Sequence, residues 1–131
     1  MQESTQHAIR ATFEASNAGR IHFGQVVDQL VEAGIESYHV DYRCGRSTYF
    51  LPDGETLDLT FEKPVEGIAD VFDGDAVRAA IRGAQQGTVM YPAFKTLTQR
   101  AGCVGYTVWI AGRHVTYWGR RGEAHVERFP D

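Results

Sequence analysis

His39 and Asp41 stand two residues apart in Tyr38-His39-Val40-Asp41-Tyr42. In an extended strand, residues i and i+2 share a face and lie about 7 Å apart. An imidazole and a carboxylate at that spacing could exchange a proton with a substrate or fill two corners of a metal site. Later in the chain come Trp109, Arg113, His114 and Trp118, with Arg120, Arg121, His125 and Arg128 close behind. Indole faces beside basic groups suit an anion, a nucleotide or an acidic partner. His39, Asp41, Trp109, Arg113, His114 and Trp118 are therefore the candidate ligand-binding residues.

Other chemical signals are missing. The histidines, His7, His22, His39, His114 and His125, form no H-x-x-x-H or H-x-H pair. Cys44 and Cys103 belong to no C-x-x-C, and neither a phosphate-binding glycine loop nor G-x-S-x-G is present. No catalytic residue, metal ligand or cofactor is assigned. Both cysteines read as reduced thiols of a cytoplasmic protein, with Cys103 at a core-type position.

The elements that must hold these residues follow from hydrophobic period. Residues 4–18 read as a helix with Ile9 and Phe13 one turn apart and Ser4 or Thr5 as cap. Phe23, Val26, Val27, Leu30 and Val31 mark one face of a second helix that ends at Gly34. Alternation then predicts strands over residues 36–42, 47–51 and 55–61, with Leu51-Pro52-Asp53-Gly54 as a turn. Tyr38, Val40 and Tyr42 fall on one side, His39 and Asp41 on the other.

The same order restarts after a join at about residues 62–72, where Pro64 and Gly67 break regular structure and Val65, Ile68, Val71 and Phe72 provide apolar contacts. Asp73 or Asp75 can cap a helix over residues 76–86, Pro92 suits the first turn of a fourth helix, and strands follow near residues 105–111, 114–118 and 123–129. At a constant offset of 68 residues the identities include Ala33/Ala101, Gly34/Gly102, Tyr38/Tyr106, Val40/Val108, Tyr49/Tyr117, Gly54/Gly122 and Phe61/Phe129. The expected architecture is α+β: an internal duplication of two ααβββ units (about residues 4–61 and 73–129), helices on antiparallel sheet, related by a pseudo-two-fold axis within a single domain of residues 1–131. His39 and Asp41 align with Thr107 and Trp109, so any function of this element lies in that difference.

Composition narrows the partners. The 43% hydrophobic share is that of a globular chain, and no apolar run is long enough for a membrane span. The polar N-terminus shows no secretory signal. The net charge of −4 disfavours nucleic acid. Residues 1–68 hold 5 basic and 11 acidic side chains and residues 69–131 hold 8 and 6, so the halves carry −6 and +2. That asymmetry favours packing of one half on the other, or of one subunit on the next in a homodimer.

Leu30-Val31-Glu32-Ala33-Gly34-Ile35-Glu36-Ser37-Tyr38-His39-Val40-Asp41, Thr48-Tyr49-Phe50-Leu51-Pro52-Asp53-Gly54-Glu55, Tyr91-Pro92-Ala93-Phe94 and Tyr117-Trp118-Gly119-Arg120 together resemble the YbcV-like family of small bacterial proteins, whose members often carry a phage envelope label. The resemblance covers nearly the whole chain and implies a domain of unknown function, with no catalytic residues to transfer. The residues themselves favour a non-enzymatic protein that binds a small molecule or a protein partner in the cleft between its two repeats, near Trp109 and the basic hairpins. Two alternatives stand beside it: a small enzyme using His39 and Asp41, and a homodimeric structural or phage-associated protein.

Overall fold

The computed structural model describes residues 1–64 and 66–130; the expected apolar contact of Val65 lies outside them. Two helices, α1 (Glu3–Asn17) and α2 (Phe23–Glu32), lead into the strands β1 (Ser37–Asp41), β2 (Arg46–Phe50) and β3 (Thr56–Thr60). The order then recurs as α3 (Gly74–Gln85), α4 (Tyr91–Arg100), β4 (Cys103–Trp109), β5 (His114–Gly119) and β6 (Ala124–Arg128). The strands form one antiparallel six-stranded sheet in the order β3-β2-β1-β4-β5-β6. The protein is therefore α+β, with the two meanders joined through their first strands.

That junction is in register about one residue pair. His39 lies opposite Thr107, with Tyr38 opposite Val108 and Val40 opposite Tyr106. Alternation sends Tyr38, Val40 and Tyr42 to one side, where they meet Ile9, Val26 and Leu30 of the first helix pair. Tyr106, Val108, Val115 and Tyr117 go to the same side and meet Val77, Ile81 and Phe94 of the second. The apolar core thus sits between the helices and this face of the sheet.

The helix ends differ from expectation at one point. Neither Ser4 nor Thr5 caps α1: Gln2 takes the N-cap position without a side-chain bond. The Met1 amine pairs with Glu55 of the β2–β3 turn, which ties down the terminus and lets the helix start earlier, with Glu3 complementing its positive end. Asp73, by contrast, caps α3 as its residue type suggests, Oδ1 accepting from the Ala76 N–H at 3.1 Å. Asp73→Ala is expected to remove about 1 kcal/mol, read as a melting temperature lower by a few degrees in circular dichroism.

Residues 68–73 pack against the body. The Ala69 N–H donates to the Gln99 carbonyl (3.0 Å) and the Asp73 N–H to the Ala101 carbonyl (2.8 Å). Arg120 donates to the carbonyls of Ile68 (2.6 Å) and Ala69 (3.3 Å), and Arg121 to that of Asp70 (3.3 Å). The close approach explains Gly102, φ +88°, where a Cβ would stand 2.3 Å from the Val71 carbonyl oxygen.

Candidate functional site

Strand pairing places five of the six candidate residues on the side of the sheet away from the helices. The cross-strand rows there are Phe50–Ser37–Trp109–His114–Arg128, Asp58–Thr48–His39–Thr107–Thr116–Val126 and Arg46–Asp41–Gly105–Trp118–Ala124. Arg113 sits at the end of this face in the β4–β5 turn, in a left-handed conformation (φ 59°). Trp109 keeps 41% of its surface exposed. Its indole lies 6.2 Å from the His114 ring, and its Nε1–H donates to Thr116 Oγ1 at 3.2 Å.

The two residues of the proton-transfer reading share this face but have separate partners. His39 Nδ1 is 2.8 Å from Thr107 Oγ1, across the central pair of the sheet. Burial pushes its imidazole below the usual range; Asp41 opposes that shift and Arg43 adds to it. The Asp41 carboxylate is held by Arg43, Nε to Oδ1 at 3.1 Å and Nη2 to Oδ2 at 3.0 Å. Burial acts to raise the Asp41 pKa, but the Arg43 hydrogen bonds outweigh it and keep the carboxyl below its ordinary value.

Only part of the expected basic group stands by Trp109: His114 and Arg128 follow it in the same row, while the others lie elsewhere. Arg120 and Arg121 are drawn to the carbonyls of residues 68–70. His125 lies opposite Tyr117 and therefore faces the helices. Cys103 is buried at a β-bulge, and burial pushes its thiol up to about 12, so it is inert at neutral pH. Among the described residues no group of three His, Cys, Asp or Glu side chains could hold a metal ion.

The principal cavity is on the other side, between sheet and helices. Its volume is about 480 Å³. Residues of both halves form it: Phe23 and Tyr38 from the first, and Ile81, Phe94, Tyr106 and Tyr117 among those from the second. None of His39, Asp41, Trp109, Arg113, His114 or Trp118 lines it.

All six tyrosines of the chain belong to this side. Tyr38 stacks on Tyr49 at 5.2 Å between centroids, Tyr106 lies 5.6 Å from Tyr117, and the Tyr106 hydroxyl donates to Tyr91 Oη at 2.6 Å. Burial raises the phenols of Tyr38, Tyr91, Tyr106 and Tyr117 above their usual range, so all stay protonated at neutral pH. At one wall Glu127 accepts from Arg82 Nη1 at 2.9 Å and lies 3.2 Å from His125 Nε2. Burial acts to raise the Glu127 pKa, yet Arg82 and His125 hold the carboxyl below the ordinary carboxylate value.

A lowered folded-state pKa stabilises the ionised protein. The contribution of Glu127 is complete above its unfolded value near 4.5 and is lost as pH falls through its lower folded value. Glu127→Gln is expected to unfold with a shallower pH dependence below about 4.5, as read by urea midpoints from pH 6 to pH 3.

A smaller cavity of about 20 Å³ adjoins the large one. Its lining residues Phe13, Ser16, Asn17, Val26, Ser47 and Tyr49 become Ile81, Ala84, Gln85, Phe94, Val115 and Tyr117 of the large cavity when 68 is added to each number. Lys95 stands beside the small cavity. Its ammonium donates to Asn17 Oδ1 at 2.6 Å and lies 4.6 Å from the Phe61 centroid and 5.1 Å from that of Tyr91, across the edge of the small cavity. Val27 stands 68 residues before Lys95.

Sequence reasoning marks Tyr38/Tyr106 and Tyr49/Tyr117 as repeated pairs but assigns them to the core. Their contribution to a cavity depends on how far the helices stand from the sheet, and periodicity carries no such distance. Glu127 gives no motif at all.

Residues 37–127 match the family described as "Protein of unknown function (DUF1398)", and the chain belongs to that family. It is also similar to uncharacterized proteins of Mycobacterium bovis and of two strains of Mycobacterium tuberculosis, at 27% identity over 117 residues in each case. The similarity covers 82% of this chain and 66% of each relative, so the chain spans just under two thirds of their length. No helix among the described residues is long and apolar enough to cross a membrane.

Proposed function

We propose that this is a ligand-binding protein, and that the cavity of about 480 Å³ between helices and sheet is its binding site. Small-molecule sites are concave, mostly apolar and about 300–1,000 Å³ in volume, with a few placed polar groups. The observation that carries the reading is that Tyr38 and Tyr117, only 5% and 6% exposed, line this cavity with hydroxyls that have no protein partner among the described residues. A core built only for packing would satisfy or omit such groups. Screening a small-molecule panel by thermal shift tests it. Ala84→Trp places an indole in the cavity, so compounds that stabilise the wild type are expected to leave this variant unmoved. Equal shifts in both proteins would contradict the site.

The cavity's position is best understood if the chain is a duplication of two ααβββ units. Support comes from the recurring element order, from the β1–β4 register centred on His39 and Thr107, and from backbone geometry. Gly34 and Gly102 end α2 and α4 with φ +83° and +88°, a left-handed conformation that favours glycine. In this reading two equivalent cavities flank the pseudo-axis, one closed by Lys95 and one kept open for ligand.

A second reading concerns the open face of the sheet. Trp109 and Val126, 41% and 57% exposed, share it with Phe50, His114 and Trp118. These residues form a surface for a protein partner, with a second copy of the chain as the simplest case. Light scattering that reports a dimer for the wild type and a monomer for Trp109→Asp supports it; a wild-type monomer at all concentrations sinks the second-copy form.

A further inference from the structure

We infer that the occupant of the cavity is an uncharged ring compound presenting a carbonyl oxygen or another hydrogen-bond acceptor to the tyrosine hydroxyls. This rests on reading the cavity as a ligand site and adds the chemistry of what enters it.

The walls supply donors. Tyr106 gives its proton to Tyr91, which leaves the Tyr91 proton free to point onward. Tyr38 and Tyr117 are more than nine-tenths buried and make no side-chain hydrogen bond among the described residues. No buried side-chain nitrogen or oxygen is left without a partner there, so these two hydroxyls are accessible, Tyr117 on the large cavity and Tyr38 where the large and small cavities, both of which it lines, adjoin. Three phenol protons are thus available, from Tyr38, Tyr91 and Tyr117, and each phenol stays protonated at neutral pH. A ligand acceptor completes them.

The charge balance disfavours ions. Glu127 is the acidic group of the wall, and both its oxygens are already engaged by Arg82 and His125. A carboxylate or phosphate entering the cavity would meet that negative charge. The basic residues of the lining are peripheral to it: Arg128 alternates with Glu127 along β6 and starts from the open-face row, and His22 is exposed at the rim, so neither is placed to offset the lost hydration of an anion held at the tyrosines. An ammonium ligand would have to take Glu127 from Arg82. Rings make up much of the remaining surface, with Phe23, Tyr91, Phe94 and Phe129 beside the strand tyrosines and aliphatic side chains such as Ile81, Val89 and Val115 between them, and ring faces stack best on a flat, apolar body.

The test uses three compounds with one bicyclic body: 2-acetonaphthone, 2-naphthoate and naphthalene, titrated by ligand-observed NMR against wild type, Tyr38→Phe, Tyr117→Phe and Ala84→Trp. The ketone is expected to bind about tenfold tighter than the hydrocarbon, with the carboxylate weakest. Each Tyr→Phe change should bring the ketone toward naphthalene and leave naphthalene itself unaltered, which a general loss of packing would not do. Strongest binding by 2-naphthoate, or ketone affinity insensitive to both Tyr→Phe changes, overturns the ligand chemistry while Ala84→Trp still reports on the cavity. Binding of none of the three, or binding unaffected by Ala84→Trp, overturns the site and the ligand chemistry with it.

Discussion

Gly105→Ala is expected to lower the melting temperature by about 10 °C. A Cβ at this position would stand 2.2 Å from the Val40 carbonyl oxygen and 3.2 Å from the Asp41 Cα. Those are backbone atoms of β1, and β1–β4 is, among the described residues, the strand pairing that joins the two half-sheets. A side chain can rotate away from such an intrusion; a paired strand can yield only by moving as a unit. Forcing an extra group into a packed region costs roughly 1–3 kcal/mol and sometimes more, and the upper part of that range fits a clash with backbone. Gly24→Ala is the matched control, because a Cβ there meets nothing within 4 Å and the residue is helical. It should leave the midpoint unchanged or raise it slightly, since alanine restricts the unfolded chain. Equal melting temperatures for Gly105→Ala and wild type, by calorimetry, would show that the junction is looser than its geometry.

The second large effect is on binding. Val27→Lys copies into the first half the residue that stands beside the small cavity in the second. Lys95 reaches Asn17, Phe61 and Tyr91; the corresponding neighbours of residue 27 are Gln85, Phe129 and Phe23, all of which line the large cavity. A lysine there can lay its ammonium over Phe129 and donate to Gln85, narrowing the entrance. Any ligand must then displace a side chain already held by a cation–π contact worth about 0.5–2 kcal/mol. Affinity for a cavity ligand is expected to fall about tenfold or more, with the fold intact because Val27 is only half-buried. Calorimetric titration reads the affinity, and circular dichroism checks the fold. Unchanged affinity would mean that the two cavities are not equivalent in the way their numbering implies.

Much of the fold is legible in the sequence because period-two and period-3.6 patterns are strong here. Tyr38, Val40 and Tyr42 alternate cleanly with His39 and Asp41, and the structure keeps both sets on the faces assigned to them. Asp73 is a helix cap by residue type and by geometry. The start of α1 is less legible, since it depends on a contact between Met1 and Glu55, 54 residues away. The site shows the same division. Alignment gives Trp109 the parity of Asp41, but spacing alone does not fix the face that His114 and Trp118 take, and it holds no information about hollows. Tyr117 and Tyr106 look like core from their spacing, and core they are; that a cavity remains between them and Phe94 depends on helix placement. Arg120 and Arg121 illustrate the opposite failure. Their charges suggest a binding patch, while backbone carbonyls of residues 68–70, remote in sequence, occupy them.

The most direct measurement is a methyl-resolved carbon–proton NMR titration of the protein with 2-acetonaphthone, alongside the two indole N–H resonances. Methyl signals of Ala84, Val89, Met90 and Val115, which line the cavity, are expected to move, while the indoles of Trp109 and Trp118 on the open face stay in place. Movement of the indoles with silent Ala84, Val89, Met90 and Val115 methyls would contradict the cavity as the binding site.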